Sequence, residues 1–425
     1  MGAETWRTRV LEQVDDQASA MVGLLSDLVR RPSVSGSDEE SAIVHRLAGL
    51  FDEDGLDTET WPIPLDEVSA APDFPGMEVD RTEAWGLVGR LAGREDGPAL
   101  MLNCHVDVVP PGDLAAWSTA DPYSGRVAGG RVHGRGACDM KGGLVASIWA
   151  LRALRRSGVP LRGSVLLAAV AGEEDGGLGS YDLMRRGWRA DACVIPEPTG
   201  LDLVPANAGA LTFRLRVPGH ATHASRRTSG VSAIEKFWPV WRALADLERR
   251  RNASPREPFT RWDVPYPLSI GMVRAGDWAS SVPDLLVAEG RIGVALGEPI
   301  AEARAALEET VARACAEDPW LADHPVVVQW WGGQFASGEC PGSSDLPDRV
   351  RRAHRAVTDG APQRTWGAPY GSDLRLLTGI GGIPTVHYGP GDAALAHSPD
   401  ESVPIAELAT CARTLALLAL ETCGT

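Results

Sequence analysis

Ser164-Val165-Leu166-Leu167-Ala168-Ala169-Val170-Ala171 is an almost unbroken apolar run, and it stops at the acidic pair Glu173-Glu174. So short and apolar a run suits a strand buried on both faces, as strands of parallel sheets are. Two more runs end the same way: Ala99 to Asn103 leads into His105, and Cys193-Val194-Ile195 leads into Glu197. Helical stretches alternate with them, among them Gly142 to Arg155, with Leu144, Ile148, Leu151 and Leu154 near helical spacing. This rhythm predicts an α/β fold with a largely parallel central sheet flanked by helices. Polar residues at the strand ends then gather past the carboxyl edge of the sheet, where open α/β sheets place their sites.

Upstream, Thr5 to Arg30 reads as one amphipathic helix, broken by Pro32-Ser33-Val34-Ser35-Gly36. Ser37-Asp38-Glu39-Glu40 begins another, with acidic residues in its first turn. The pattern changes near Gly209. Leu211 to Val217 alternates like a half-exposed strand, followed by a helix from Val231 to Arg250 and strands at Leu268 to Val273 and Leu285 to Leu296. A helix from Ile300 to Cys315 and a strand from Val326 to Trp331 complete a β-α-β-β-α-β order, that of a ferredoxin-like α+β domain. Residues 209–332 are therefore expected as an insert in a catalytic domain formed by 1–208 and 333–425, which closes with a helix from Ile405 to Leu420.

A chain of 425 residues is ample for two such domains. A formal net charge of -16 argues against nucleic acid or an anionic membrane as partner. The seven cysteines are odd in number and none pairs at CxxC spacing, which points to reduced thiols and a cytoplasmic location. Cys104, Cys138 and Cys193 stand beside the strand-end motifs, and small buried residues are the expectation there rather than thiolate ligands. The sequence shows neither a signal peptide nor a run of about 18 apolar residues.

The strand-end residues, with Asp139 in Gly134-Arg135-Gly136-Ala137-Cys138-Asp139-Met140-Lys141-Gly142-Gly143 and with His397, supply the donors of a two-metal site. Zinc takes imidazole and carboxylate ligands and keeps a position open for water when catalytic. Two metals about 3.5 to 4 Å apart need a bridge, and a carboxylate supplies one. Asp139 is the candidate bridge, with His105 and Glu197 on one metal and Glu174 and His397 on the other. Asp107, two residues after His105, is placed to accept the proton of the far imidazole nitrogen. Glu173 is left over beside a ligand and is the candidate base for the activated water. Cobalt and manganese suit the same donors.

Together with Cys104-His105-Val106-Asp107-Val108-Val109-Pro110, Gly172-Glu173-Glu174, Glu197-Pro198-Thr199 and Ala396-His397-Ser398-Pro399-Asp400-Glu401, these motifs make the chain resemble the dinuclear zinc aminoacylase and carboxypeptidase family. That family includes acetylornithine deacetylase, succinyl-diaminopimelate desuccinylase and glutamate carboxypeptidase. The resemblance implies Asp139 as bridge, a cis peptide to Met140, Glu173 as base, and an inserted lid that makes a homodimer in many members. It also implies that His223, in Gly219-His220-Ala221-Thr222-His223, reaches a partner's site, with His220 as the decoy. Gly371-Ser372-Asp373-Leu374-Arg375 resembles the substrate-side loop, where Arg375 pairs with a substrate carboxylate or with Asp373.

Two departures stand out. Ser280 occupies the place of an asparagine common three residues before the lid proline, here Pro283. Gly293 falls where relatives that grip a carboxylate carry arginine, with Arg291 two residues earlier on the same strand face. The expected activity is deacylation of an N-acyl amino acid or related small-molecule amide. A dipeptidase or carboxypeptidase, an amidase for a formamide or natural-product amide, and a binding protein with a relict site are the competing readings.

Overall fold

The computed structural model describes residues 2–16, 18–94 and 96–424. The chain divides into two compact units: Met1–Ala206, Glu339–Trp366 and Asp373–Thr425 form one, and Asn207–Gly338 with Gly367–Ser372 the other.

In the first unit the strands Val165–Val170, Leu100–His105, Ala192–Ile195 and Thr385–His387 lie side by side and parallel. Every residue of the four is buried, as continuous apolar runs require. Antiparallel strands extend the sheet on both sides: Trp85–Leu91 and then Asp57–Pro62 beyond Val165–Val170, and Leu203–Asn207 beyond Thr385–His387. The sheet is thus parallel at its centre and mixed overall. Its outermost strand, Asp57–Pro62, buries only Trp61, so it needs no cover on both faces. Helices Gly142–Ser157 and Ile405–Cys423 pack on each other, and Ala3–Asp15 packs on both.

The single helix expected from Thr5 to Arg30 is two, Ala3–Asp15 and Ala18–Val29. Asp15 and Asp16 stand at the end of the first with no basic residue in its last turn, which opposes the helix dipole. Val10 and Val14 of the first helix and Met21, Leu25 and Leu28 of the second reach the core separately.

In the second unit the antiparallel order is Leu268–Ala275, Leu285–Val294, Gly209–Pro218, Val327–Phe335. Helices Ala233–Arg251 and Ile300–Ala316 cover one face. Leu211, Phe213, Leu215 and Val217 point into the resulting core with Val240, Leu244, Leu307 and Val311. This is the ferredoxin-like arrangement. A short pairing, Thr222–His223 with Ser281–Val282, ties two of its loops together.

Candidate metal centre

Parallel pairing sets His105 level with Val170, so the chain leaving each strand delivers His105-Val106-Asp107 and Gly172-Glu173-Glu174 to the same end of the sheet. Glu197 follows Ile195 there by two residues. Asp139 arrives from the turn that precedes helix Gly142–Ser157, and the Asp139-Met140 peptide is cis. His397 comes from the loop before the last strand and helix.

These residues converge on Asp139, whose two oxygens face different histidines. Oδ1 lies 3.1 Å from His105 Nε2, and Oδ2 lies 3.5 Å from His397 Nε2. Glu197 Oε1 is 3.8 Å from the first imidazole and Glu174 Oε2 is 2.9 Å from the second. His105, Asp139 and Glu174 offer donor atoms all within 4.8 Å of one another. The result is two donor groups sharing one carboxylate, the arrangement a bridged pair of cations needs.

Asp107 behaves differently from the expectation. His105 Nδ1 is 2.9 Å from the Asp107 carbonyl oxygen and 3.6 Å from its carboxylate, so the carbonyl takes the ring proton. The buried carboxylate instead accepts the backbone N–H groups of Glu173 and Glu174, both at 3.2 Å, and the Ser35 hydroxyl at 2.9 Å. It anchors the turn that carries base and ligand.

The Asp139 turn has its own supports. Glu401 Oε1 accepts from the N–H groups of Cys138 and Asp139 at 3.0 and 3.2 Å, while Oε2 pairs with Arg135 at 2.5 Å. Lys141 is fully buried and donates to the carbonyls of Leu28 and Arg31. Burial pulls its ammonium down to about 7. At Gly143 a β-carbon would stand 1.9 Å from the Pro196 oxygen, so only glycine lets the helix start lie against the Pro196-Glu197 backbone. Cys104, Cys138 and Cys193 are buried, and burial pushes all three thiols up, Cys104 to about 12.

The electrostatics are those of a site short of positive charge. Burial raises Glu173, with Asp373 next and Glu197 and Glu174 adding to it. Burial and Asp139 raise Glu197 and Glu174. Asp139 is pushed up by burial, but the contacts with His105 and His397 outweigh this and hold it well below the carboxylate range. His397, half-exposed, is raised to about 11, chiefly by Glu174. Crowded buried carboxylates of this kind fit divalent cations.

Asp373, Glu401 and Arg135 were not singled out as site residues from sequence. All three lie inside quoted motifs, which is the available signal. Arg375 is buried, and its Nη2 donates to the Gly176 carbonyl at 2.7 Å. Burial draws its guanidinium down to about 10 against the pull of Asp373 and Glu173. In the second unit, Ser372 is buried, while Ser280 and Arg291 are exposed. Ser280 contributes its carbonyl to the Ala224 N–H, and Arg291 stands opposite Thr212 and Ser269. A β-carbon at Gly293 would meet Tyr266 Cα and C at 2.7 Å. His223 is exposed and caps the short helix Ala224–Ser229. Its Nδ1 accepts the Ser225 N–H at 3.1 Å, so in the neutral ring the proton sits on Nε2. His220 is also exposed, and its backbone pairs with Val231.

A profile of peptidase family M20/M25/M40 matches residues 101–421. A succinyl-diaminopimelate desuccinylase of Gluconacetobacter diazotrophicus is 31% identical over 400 residues, covering 91% of this chain and 92% of its own. An N-formyl-4-amino-5-aminomethyl-2-methylpyrimidine deformylase of Halalkalibacterium halodurans is 26% identical over 440 residues, 97% of each chain. Among solved structures, a dipeptidase of Saccharomyces cerevisiae shares the fold with a TM-score of 0.76 at 16% identity, over 97% of this chain and 98% of that one. With these matches running through the strand-end ligands, the chain belongs to peptidase family M20/M25/M40 and is a hydrolase of amide bonds.

Proposed function

We propose that this enzyme is a two-metal deacylase that hydrolyses an N-acyl amino acid or a related N-acyl amine, with Glu173 as general base. Asp139 carries the reading, because its two oxygens serve two separate imidazole–carboxylate groups. His105 and Glu197 would hold one cation, Glu174 and His397 the other, and zinc suits the donors. Two such ions would polarise the amide carbonyl and acidify a water. Glu173 takes the proton of the attacking water and passes it to the leaving amine. Burial, with Asp373 beside it, raises the affinity of Glu173 for protons in the metal-free protein. Asp107 keeps Glu173 in register through its backbone N–H.

His223, with its proton on Nε2, donates to the developing oxyanion of a partner's site. A homodimer is supported by Ile234, Trp238 and Trp241, which line one side of helix Ala233–Arg251 and are 42%, 54% and 45% exposed. The neighbouring edge strand Leu268–Ala275 exposes Met272 and Val273. Apolar surface of this extent beside an unpaired strand edge is a surface for a second copy. Seven buried free thiols support a cytoplasmic enzyme.

Arg375, Ser372, Arg291 and Ser280 are the proposed substrate contacts. One observation favours a second reading within the same chemistry, a formamide or natural-product amide whose amine part has no carboxylate. Tyr266 occupies the space into which a side chain at Gly293 would project. An acyl panel of N-formyl, N-acetyl and N-succinyl amino acids and amines, run beside dipeptides on the zinc-loaded enzyme, separates the readings. Faster turnover of dipeptides than of every acyl substrate sinks the deacylase proposal. A purified, zinc-supplemented protein holding well under one zinc per chain sinks the two-metal site.

A further inference from the structure

The turn Gly172-Glu173-Glu174-Asp175 is held from a segment that no motif includes. The Arg81 side chain is buried, and its guanidinium binds two buried carboxylates at once. Nε and Nη2 donate to Glu40 Oε2 and Oε1 at 2.9 and 3.0 Å. Nη1 and Nη2 donate to Asp175 Oδ2 and Oδ1 at 2.8 and 2.9 Å. Glu40 Oε1 in turn accepts the Gly172 N–H at 3.0 Å, and Oε2 accepts the Gly36 N–H at 2.7 Å. Asp175 Oδ2 also accepts the N–H groups of Glu78 and Val79. Arg81 therefore grips the residue just after Glu174 and, through Glu40, the residue just before Glu173.

The backbone is cut to fit this grip. Gly172 has φ 71°, and a β-carbon there would come within 3.2 Å of Arg81 Nη2. A β-carbon at Gly176 would lie 1.9 Å from the Gly76 oxygen. Only glycine lets the 76–81 segment lie so close over the turn.

We propose that Arg81 is a positioning residue, which with Glu40 and Asp175 fixes where Glu173 and Glu174 point. The proposal rests on the reading of Glu173 as base and Glu174 as ligand. Two carboxylates gripped side-on by one planar fork require guanidinium geometry, which lysine does not supply. Truncation to alanine would strand two buried charges and unfold the turn, so the informative variants keep charge or size.

The experiment compares zinc-loaded Arg81→Lys, Glu40→Gln and Glu173→Gln with the parent enzyme, measuring kcat, KM, zinc affinity and thermal midpoint. Arg81→Lys and Glu40→Gln are expected to lose kcat about 10- to 100-fold with KM little changed, and to bind the more weakly held zinc less tightly by a similar factor. A merely structural role would lower the thermal midpoint and leave kcat and zinc affinity of the folded protein at parental values, and that result overturns the proposal. If Arg81→Lys does not accumulate folded, Glu40→Gln decides alone, because it disturbs the Gly172 end while leaving Arg81 and Asp175 in place. Glu173→Gln reports on the underlying reading separately. Parental turnover in that variant refutes the base assignment, whereas its loss beside intact Arg81→Lys and Glu40→Gln refutes only the positioning role.

Discussion

Replacing Gly143 with alanine adds one methyl group to the buried start of a helix and should disable one of the two metal positions. The new β-carbon would stand 1.9 Å from the Pro196 oxygen and 2.9 Å from the Pro196 carbonyl carbon. Ordinary contact begins near 3.4 Å, so a gap of about 1.5 Å must open. The helix cannot retreat freely, because it packs against helix Ile405–Cys423. Pro196 therefore moves, and Glu197 is the next residue. A metal site tolerates ligand shifts of about 0.2 Å, and a misplacement of about 1 Å costs on the order of 100-fold in rate. That loss corresponds to about 2.7 kcal/mol of transition-state stabilisation. Zinc titration of Gly143→Ala should show the His105–Glu197 position weakened and the Glu174–His397 position retained, with kcat down about 100-fold. Gly49→Ala is the matched control. It sits inside helix Asp38–Glu53 with nothing within 4 Å of the added carbon. The same chemical change there should stabilise the fold by about 0.5–1 kcal/mol. A Gly143→Ala enzyme that holds two zinc ions and turns over within about threefold of the parent refutes the close-approach argument.

Glu173→Ala should keep its zinc and lose about 10²- to 10⁴-fold in kcat, read from steady-state rates on metal-analysed protein. Mixing inactive His223→Ala chains with inactive Glu173→Ala chains should restore part of the activity if His223 acts across a dimer, and Trp238→Glu should abolish that recovery. Zinc affinity should fall as pH falls, because His397 without metal holds its proton up to about pH 11 and must release it to bind; chelator competition at two pH values, with proton release followed by indicator dye, measures it. Lys141 binds fewer protons folded than unfolded between about 7 and the ordinary lysine value of 10.5, so stability rises with pH through that window. Lys141→Met should lack that rise in urea midpoints taken across the window.

The strand ends were legible because burial on both faces leaves a continuous apolar run, and such a run ends visibly where a ligand begins. The ferredoxin-like unit was legible from its change of period. Asp107 illustrates what spacing alone does not settle. A residue two positions after an imidazole offers both a carbonyl and a carboxylate, and the carbonyl lies closer to Nδ1. The antiparallel margin of the sheet went unread because Asp57–Pro62 and Trp85–Leu91 carry mixed polarity that no single template matches. Arg81 was out of reach for another reason. Its partners lie 41 and 94 residues away, and pairing at that range depends on the fold rather than on any local pattern.

Every residue proposed to hold cations or move a proton within its own chain belongs to the first unit, and all but His397, which sits on a loop, hang on strand ends or on turns pinned by buried carboxylates. His223, Ser280, Arg291, Gly293 and Ser372 belong to the second. The relatives fit such a division of labour, since a desuccinylase and a deformylase each match more than nine-tenths of the chain. A scaffold that serves acyl groups of such different size and charge must vary them without disturbing the ligand turns. Gly293 lies on a strand of the ferredoxin-like sheet, where the Tyr266-Pro267 backbone takes up the space of a side chain. A change there alters what the unit presents while leaving Asp139, Glu173 and Glu401 untouched. Substrate preference should therefore respond to substitutions at Tyr266, Ser280 and Arg291 through KM and the choice of acyl group, whereas substitutions in the first-unit turns should act through kcat and zinc affinity. Of the proposed substrate contacts, Ser280, Arg291 and Ser372 belong to the second unit and Arg375 to the first.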